Sequence, residues 1–388
     1  MSEKTEVRPF IPFGCPDFGD DEVAAVSDVV RSGWVGMGQQ TVTFEKELAN
    51  FCGRPEGVLV NSCTSALFLS LIVHGVGVGD EVIVPSLTWY ATANVALYAG
   101  TTPILCDVDP ATFNVTPDTV KACLTPKTKA VIVVHFGGYP VDIAGIRSIL
   151  PSSVALIEDA AHAMGGRYLD GGRVGSSGNM VCFSFYANKN LSTGEGGFIA
   201  IDDKDVAERL RGLRLHGLHH SAWQRYQTPS TMFTASPVEL GYKMNYTDLQ
   251  ASIGRVQLKR LEQMQKRRLE IAEIYAEFIA ALDMGITLQV GVTGGLHARH
   301  LFVLTLDANH TKQSRNAIIL ALRKLSVGAA LHYTPMHTLP LYEKYCRFSL
   351  KGADLVMDRI LTLPISGRMT TDDAHYICQS LQKVLGAA

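Results

Sequence analysis

Between residues 57 and 201 the chain alternates short apolar runs with helix-period segments, and no other feature narrows the possible folds so much. The runs fall at 57–60, 81–85, 103–108, 129–135, 154–159, 180–185 and 197–201. They are strand-sized, rich in β-branched residues and apolar at consecutive positions, so both of their faces must be covered. Strands covered on both faces and separated by helices predict an α/β architecture with a mostly parallel central sheet. Ahead of the sheet, residues 20–52 read as helical with a break at 33–38. Beyond it, 203–216 and 247–282 read as helices, the second long, charged on one face and periodic in Leu, Ile and Met. The aperiodic polar and aromatic stretch 219–237 between them reads as a long loop, of the kind that is functional or packs on a partner. From about His297 the order becomes strand, helix, strand, helix at 300–306, 314–324, 329–333 and 371–385, which predicts a small α+β domain. With 388 residues, the chain is expected to form a large domain over 1–260 and a small C-terminal domain over 261–388, joined by the long helix.

Charge and cysteine usage exclude several classes of function. A net charge of -2 gives no electrostatic reason to expect nucleic acid or an anionic membrane as partner. Residues 1–8 carry Glu3, Lys4, Glu6 and Arg8 without an apolar core, so a secretory signal is not expected, and no run is long enough to span a bilayer. The eight cysteines are dispersed without a C-x-x-C pair, as free thiols in a reducing cytoplasm would be, and no metal site is expected. Small molecules and protein surfaces remain as partners.

The chemistry concentrates around Lys189, which lies in a hydroxyl-bearing, glycine-rich run just after the sixth apolar stretch. A buried lysine with a lowered pKa presents a neutral amine able to form a Schiff base. Thirty residues upstream Asp159 closes the fifth stretch, and a carboxylate there either caps the chain or holds a pyridine nitrogen protonated. The first stretch runs into Asn61-Ser62-Cys63-Thr64-Ser65-Ala66-Leu67 and a helix, whose hydroxyls and free N–H groups would cradle a phosphate, or in which Ser62 or Thr64 is an N-cap. Ser184 ends the sixth stretch and could add a phosphate hydroxyl or bond to backbone. Trp89 follows the second stretch, either as core or stacked on a planar heterocycle. All of these fall at the carboxyl ends of successive strands, the edge where α/β sheets bind ligands. The G-x-G-x-x-G turn of a nicotinamide-dependent dehydrogenase is missing after the first strand.

These stretches, together with 79–85, Glu158-Asp159-Ala160-Ala161-His162-Ala163, 184–191, Gly194-Glu195-Gly196-Gly197 and Leu249-Gln250-Ala251, resemble the DegT/DnrJ/EryC1/StrS family of fold type I pyridoxal phosphate (PLP) sugar aminotransferases over nearly the whole chain. The resemblance implies that Lys189 is the Schiff-base lysine and general acid/base and Asp159 the pyridinium partner. It implies that Thr64, Ser65 and Ser184 hold the phosphate, that Trp89 stacks on the ring and that His162 lies near the ring hydroxyl. It implies a homodimer with shared active sites, in which 241–246 reaches the partner's cofactor phosphate through Lys243 or Asn245. Lysine at 189 sets the chain apart from the 3-dehydratase subfamily, which has histidine there. The implied reaction is ping-pong, with PLP passing through its pyridoxamine 5'-phosphate form as an amino-acid donor, glutamate, supplies nitrogen to a keto-sugar.

The wording of 241–243, 300–302 and 331–337 is most similar to the enzymes that aminate C4 of UDP-linked 4-keto sugars for cell-surface glycans such as lipopolysaccharide, or for secondary metabolites. Trp34, Tyr333 and His337 are the expected substrate-side residues. His332 and His337 either bind donor carboxylate or sugar, or are structural. A non-nucleotide keto-sugar, a keto-octulosonate or a cyclitol ketone is the alternative substrate, and a non-catalytic regulator on the same scaffold the alternative role.

Overall fold

In the computed structural model, residues 8–218, 236–282, 285–290, 297–307, 309–311 and 313–386 are described. Most of the expected 219–237 loop, and the terminal residues 1–7, lie outside the described residues. Each of the seven apolar runs is a strand within two residues of its expected bounds: β1 Glu56–Val60, β2 Glu81–Pro85, β3 Thr102–Cys106, β4 Thr128–Val134, β5 Ala155–Asp159, β6 Met180–Ser184 and β7 Gly197–Ile201. They form one sheet in the order β1-β7-β6-β5-β4-β2-β3, parallel throughout except for β7. The pleat sends alternate residues to opposite faces. Val58, Cys182 and Ile199 therefore join one buried layer, while Leu59, Val181, Phe183 and Phe198 join the other with Phe44 and Leu48 of the helix Gln39–Cys52. Fold type I is the resulting architecture.

A second antiparallel sheet, in the order β10-β9-β8, is built from β8 Ile286–Leu288, β9 Phe302–Leu306 and β10 Ile360–Leu363. The expected strand at 329–333 is instead an extended strap that touches this sheet through one bridge, Ala330 to Thr362. Beyond that bridge the chain leaves the sheet edge for Pro335, which has no N–H to give a ladder. The element that does complete the sheet, β10, is only four residues long and fully buried, too short for its period to register.

The helix Asp248–Ala280 runs unbroken through the expected domain boundary at 260/261. Ala251, Leu261 and Met264 in its first half pack under the large sheet, whereas Ile271, Ala272, Tyr275 and Ile279 pack in the core of the small one. Among the described residues no helix is long and apolar enough to cross a membrane.

Candidate active site

The carboxyl ends of β1, β2, β4, β5 and β6 meet at one edge of the sheet, and a cavity of about 550 Å³ opens there. Its wall includes Thr64, Trp89, Asp159, His162, Ser184, Lys189 and Tyr333, gathered from positions up to 269 residues apart. Sequence distance is bridged because all but Tyr333 sit at or a few residues beyond the end of a sheet strand, while Tyr333 arrives on the 329–333 strap.

On the β1 side Ser62 caps the helix α3 (Cys63–Val73), its side chain accepting from the Ser65 N–H. Apart from the capped Ser65 N–H, the first-turn N–H groups of α3 have no intrahelical acceptor, and Cys63 and Thr64 at that start line the cavity. This helix start lies against β7 because position 197 has no side chain: a Cβ there would stand 2.4 Å from the Ser62 carbonyl carbon and oxygen. Gly197→Ala must therefore push α3 and β7 apart. Overpacking of this kind costs about 1–3 kcal/mol. The expected result is a lower thermal midpoint together with weaker PLP retention, read by calorimetry and by absorbance after dialysis.

β5 ends in two acids that the pleat turns to opposite sides. Glu158 is fully buried and accepts from Tyr168 Oη (2.7 Å), Asn179 Nδ2 (2.8 Å) and Ser177 Oγ, with His135 Nε2 at 3.0 Å. Burial pushes its carboxyl up, but these bonds outweigh burial and leave it below the usual range. Its role is to tie the loop after β5 together. Asp159 faces the cavity, where it accepts from Thr92 Oγ1 at 3.0 Å and from the Ala161 N–H at 3.1 Å. Burial holds its pKa above the ordinary aspartate value in spite of those bonds. A buried carboxylate in that state is stabilised by any cation brought close to it.

Lys189 sits in an excursion between β6 and β7 whose neck is pinched by Phe185 N–H to Gly196 O and Thr193 N–H to Phe185 O, both 2.9 Å. Asn190 anchors the same loop through Nδ2, which donates to Ala298 O at 2.7 Å. Burial lowers the Lys189 pKa to about 8, with Asp159 opposing the fall. Its Nζ lies 3.4 Å from His300 Nε2. Burial, and then the nearby Lys189 charge, push His162 and His300 well below the ordinary histidine value, and His332 down to about 3. The imidazoles are therefore neutral at physiological pH. His162 Nδ1 accepts from the Gly137 N–H at 3.3 Å, which leaves the Nε2 proton to face Tyr333 Oη at 3.1 Å.

Other expected site residues stand elsewhere. Ser65 belongs to the helix cap, its hydroxyl donating to Asn61 Oδ1 at 2.7 Å, and it does not line the cavity. Trp34 lies in a separate groove with Asp248 and Arg255, its Nε1 donating to Met37 O at 3.2 Å. His337 is outside the cavity and spends both ring nitrogens on Ser86 and Asp354. Lys243 is exposed and Asn245 donates to the Tyr246 carbonyl at 3.1 Å, so neither enters the cavity of its own chain. Cys63, Thr92, Asn188 and His300 surround the site without having been singled out. Thr92 carries no motif of its own, and the 300–302 stretch that His300 opens does not mark it as a site residue; only the fold brings them in.

The described residues fit PLP. A depressed amine suits the aldehyde, a buried carboxylate suits the ring nitrogen, a helix start suits the phosphate, and Trp89 offers an aromatic face that is 55% exposed. Asn188 Oδ1 and His300 Nδ1 are buried without a hydrogen-bond partner, as polar atoms around a cofactor site often are. A reactive amine and its acid at the carboxyl edge of this sheet define the class: a PLP-dependent aminotransferase of fold type I. Residues 16–382 match the model of the DegT/DnrJ/EryC1/StrS aminotransferase family, and the chain belongs to that family.

Among its relatives, the spore coat polysaccharide biosynthesis protein SpsC of Bacillus subtilis is 40% identical over 98% of both chains. The aminotransferase TlmJ from Streptoalloteichus hindustanus is 34% identical, with a TM-score of 0.87 over 97% of this chain and 99% of its own. Spr1654 of Streptococcus pneumoniae, described as a sugar aminotransferase, is 30% identical. Its PMP form gives a TM-score of 0.88 over 97% and 99% of the two chains, and it is also solved in a PLP form.

Proposed function

We propose that this sugar aminotransferase transfers the amino group of glutamate to C4 of a nucleotide-linked 4-keto sugar, a UDP sugar, for a cell-surface polysaccharide. The observation that carries the reading is the chemistry of the wall facing Lys189. His162, His332, Asn188 and Tyr333 offer uncharged hydrogen-bonding groups beside the aromatic faces of Trp89, Tyr186 and Phe13. Hydroxyl-bearing rings are bound by such a mixture of neutral hydrogen-bonding groups and aromatic faces. The name of SpsC supports a place in polysaccharide biosynthesis, and the likeness to the C4-aminating branch supports a 4-keto sugar.

When bound, PLP supplies the aldehyde that accepts nitrogen and the conjugated ring that draws electrons from the carbon losing its proton. The chain's own residues then have distinct tasks. Lys189 Nζ takes and returns the proton at the reacting carbon. Asp159 keeps the ring nitrogen protonated, Thr64 and Ser184 hold the phosphate with the start of α3, Trp89 covers one ring face, and His162 lies near the ring hydroxyl. Tyr333 is the substrate-side residue that the cavity retains. Lys189 is the only cationic side chain lining the cavity among the described residues, so the phosphate and the donor carboxylates call for charge from outside. In a homodimer Lys243 of one copy would bring that charge to the phosphate in the other, or Asn245 would bring an uncharged hydrogen-bond donor in its place. Six of the eight cysteines are buried free thiols, which supports a cytoplasmic setting.

The test is an assay of purified enzyme with glutamate and a panel of ketones. Release of 2-oxoglutarate is expected with a UDP-4-keto sugar. Release only with a free keto-sugar, a keto-octulosonate or a cyclitol ketone would overturn the nucleotide-sugar reading.

A further inference from the structure

His337 is held at both ring nitrogens. Nε2 lies 2.9 Å from Asp354 Oδ1, and Nδ1 lies 2.7 Å from Ser86 Oγ. A carboxylate only accepts, so in the neutral ring the proton sits on Nε2 and Nδ1 accepts the Ser86 hydroxyl proton. The connectivity Asp354–His337–Ser86 has the order of a hydrolase triad, but Ser86 is fully buried and no ligand can approach its oxygen. Some role other than nucleophilic attack must therefore explain why three polar groups are aligned here.

Their positions supply one. Ser86 is the first residue beyond β2, at the root of the loop that carries Trp89 and leads to Thr92, the hydroxyl that bonds Asp159. His337 lies in the short turn Met336–Thr338, four residues after Tyr333 ends the 329–333 strap. A second bond, Met336 N–H to Ser86 O at 2.8 Å, runs beside the first. Trp89 and Tyr333, the two aromatics that this junction fixes, are in contact at a tilt of 51° with ring centroids 5.8 Å apart. Asp354 completes the chain from the helix Lys351–Met357, whose Gly352 and Ala353 N–H groups are fixed by Asp107, one residue beyond the end of β3.

We propose that His337 is a positioning residue: through Ser86 it locks the Trp89 loop to the Tyr333 strap, so that the two aromatic walls of the cavity are set before cofactor and sugar arrive. This rests on the reading that Trp89 and Tyr333 face cofactor and substrate. His337 then acts without touching either ligand, in contrast to the substrate-side role its motif implies.

Ser86→Ala and His337→Gln, made singly and together, test the proposal. The readouts are PLP affinity, by titrating cofactor into apoenzyme, and the emission of Trp89 in a Trp34→Phe, Trp223→Phe background. Each single change is expected to weaken PLP binding by about 5–10-fold and to shift Trp89 emission, with the double variant no worse than either single one, as expected of two residues acting through one bond. Asp354→Asn is expected to do the same more weakly. A normal Ser86→Ala enzyme beside a damaged His337→Gln one would overturn the proposal and make His337 a ligand contact. A fall in melting temperature with unchanged affinity and emission in all variants would also overturn it, leaving a brace for the fold alone. Neither readout needs a sugar substrate, so a failed search for the keto-sugar leaves this result interpretable, and the converse holds as well.

Discussion

Lys189→Ala is expected to lower turnover by at least ~10³-fold while the protein stays folded, because general acid–base transfer alone is worth 10²–10⁴-fold and this residue also anchors the cofactor. The long-wavelength absorbance that survives dialysis and is bleached by borohydride in the native enzyme should be absent from the variant. Lys189→Arg should not rescue it, since a guanidinium neither gives up its proton nor condenses with an aldehyde. The lowered pKa adds a pH signature with a definite sign. Below about 8 the amine is mostly protonated and inert, so recapture of PLP by the apoenzyme should speed up with rising pH and level off above about 8. A rise continuing to pH 10 or beyond would show an ordinary lysine and undo the argument from burial.

Asp159→Asn is expected to lower turnover by about 10³-fold with PLP still bound. The replacement keeps the shape of the side chain but removes the charge facing the ring nitrogen. A unit charge at 4 Å in a site of effective dielectric 20 is worth about 4 kcal/mol, which corresponds to roughly a thousandfold in rate. Asp159 is already held up by burial, which outweighs the Ala161 N–H, the Thr92 hydroxyl and the nearby Lys189 charge that favour its anion. Its charge and that of a protonated ring therefore depend on each other. Single-turnover kinetics with glutamate and absorbance of the bound cofactor would measure the effect. A rate within about threefold of the native enzyme would show that the acid only caps the loop, since a lost cap affects stability by about 1 kcal/mol and leaves chemistry alone.

The large sheet was legible because each of its strands is apolar on both faces and ends near a residue of chemical character. Asp159 and Lys189 could be paired from the sequence since both follow such strands, and β5 and β6 are indeed neighbours. The small sheet was less legible. β8 and β10 are three and four residues long, and the strap at 329–333 has the composition of a strand but only one bridge to the sheet. Side-chain direction was the least legible of all. His162, His332 and His337 look alike in sequence, but the first two line the cavity while the third turns to Ser86 and Asp354. His300 is legible in the sequence as part of the 300–302 stretch but without a role, because only folding brings it to 3.4 Å from Lys189.

The helix Asp248–Ala280, with 33 residues, is about 50 Å long at 1.5 Å per residue and contributes to the buried layers of both sheets. Neither layer can lose its packing without stripping one half of that helix, and a helix stripped over half its length loses the tertiary contacts that stabilise it. Thermal melting should then be one cooperative event, and backbone amides of Met264 and Ile271, on either side of the junction, should exchange with solvent through the same global opening.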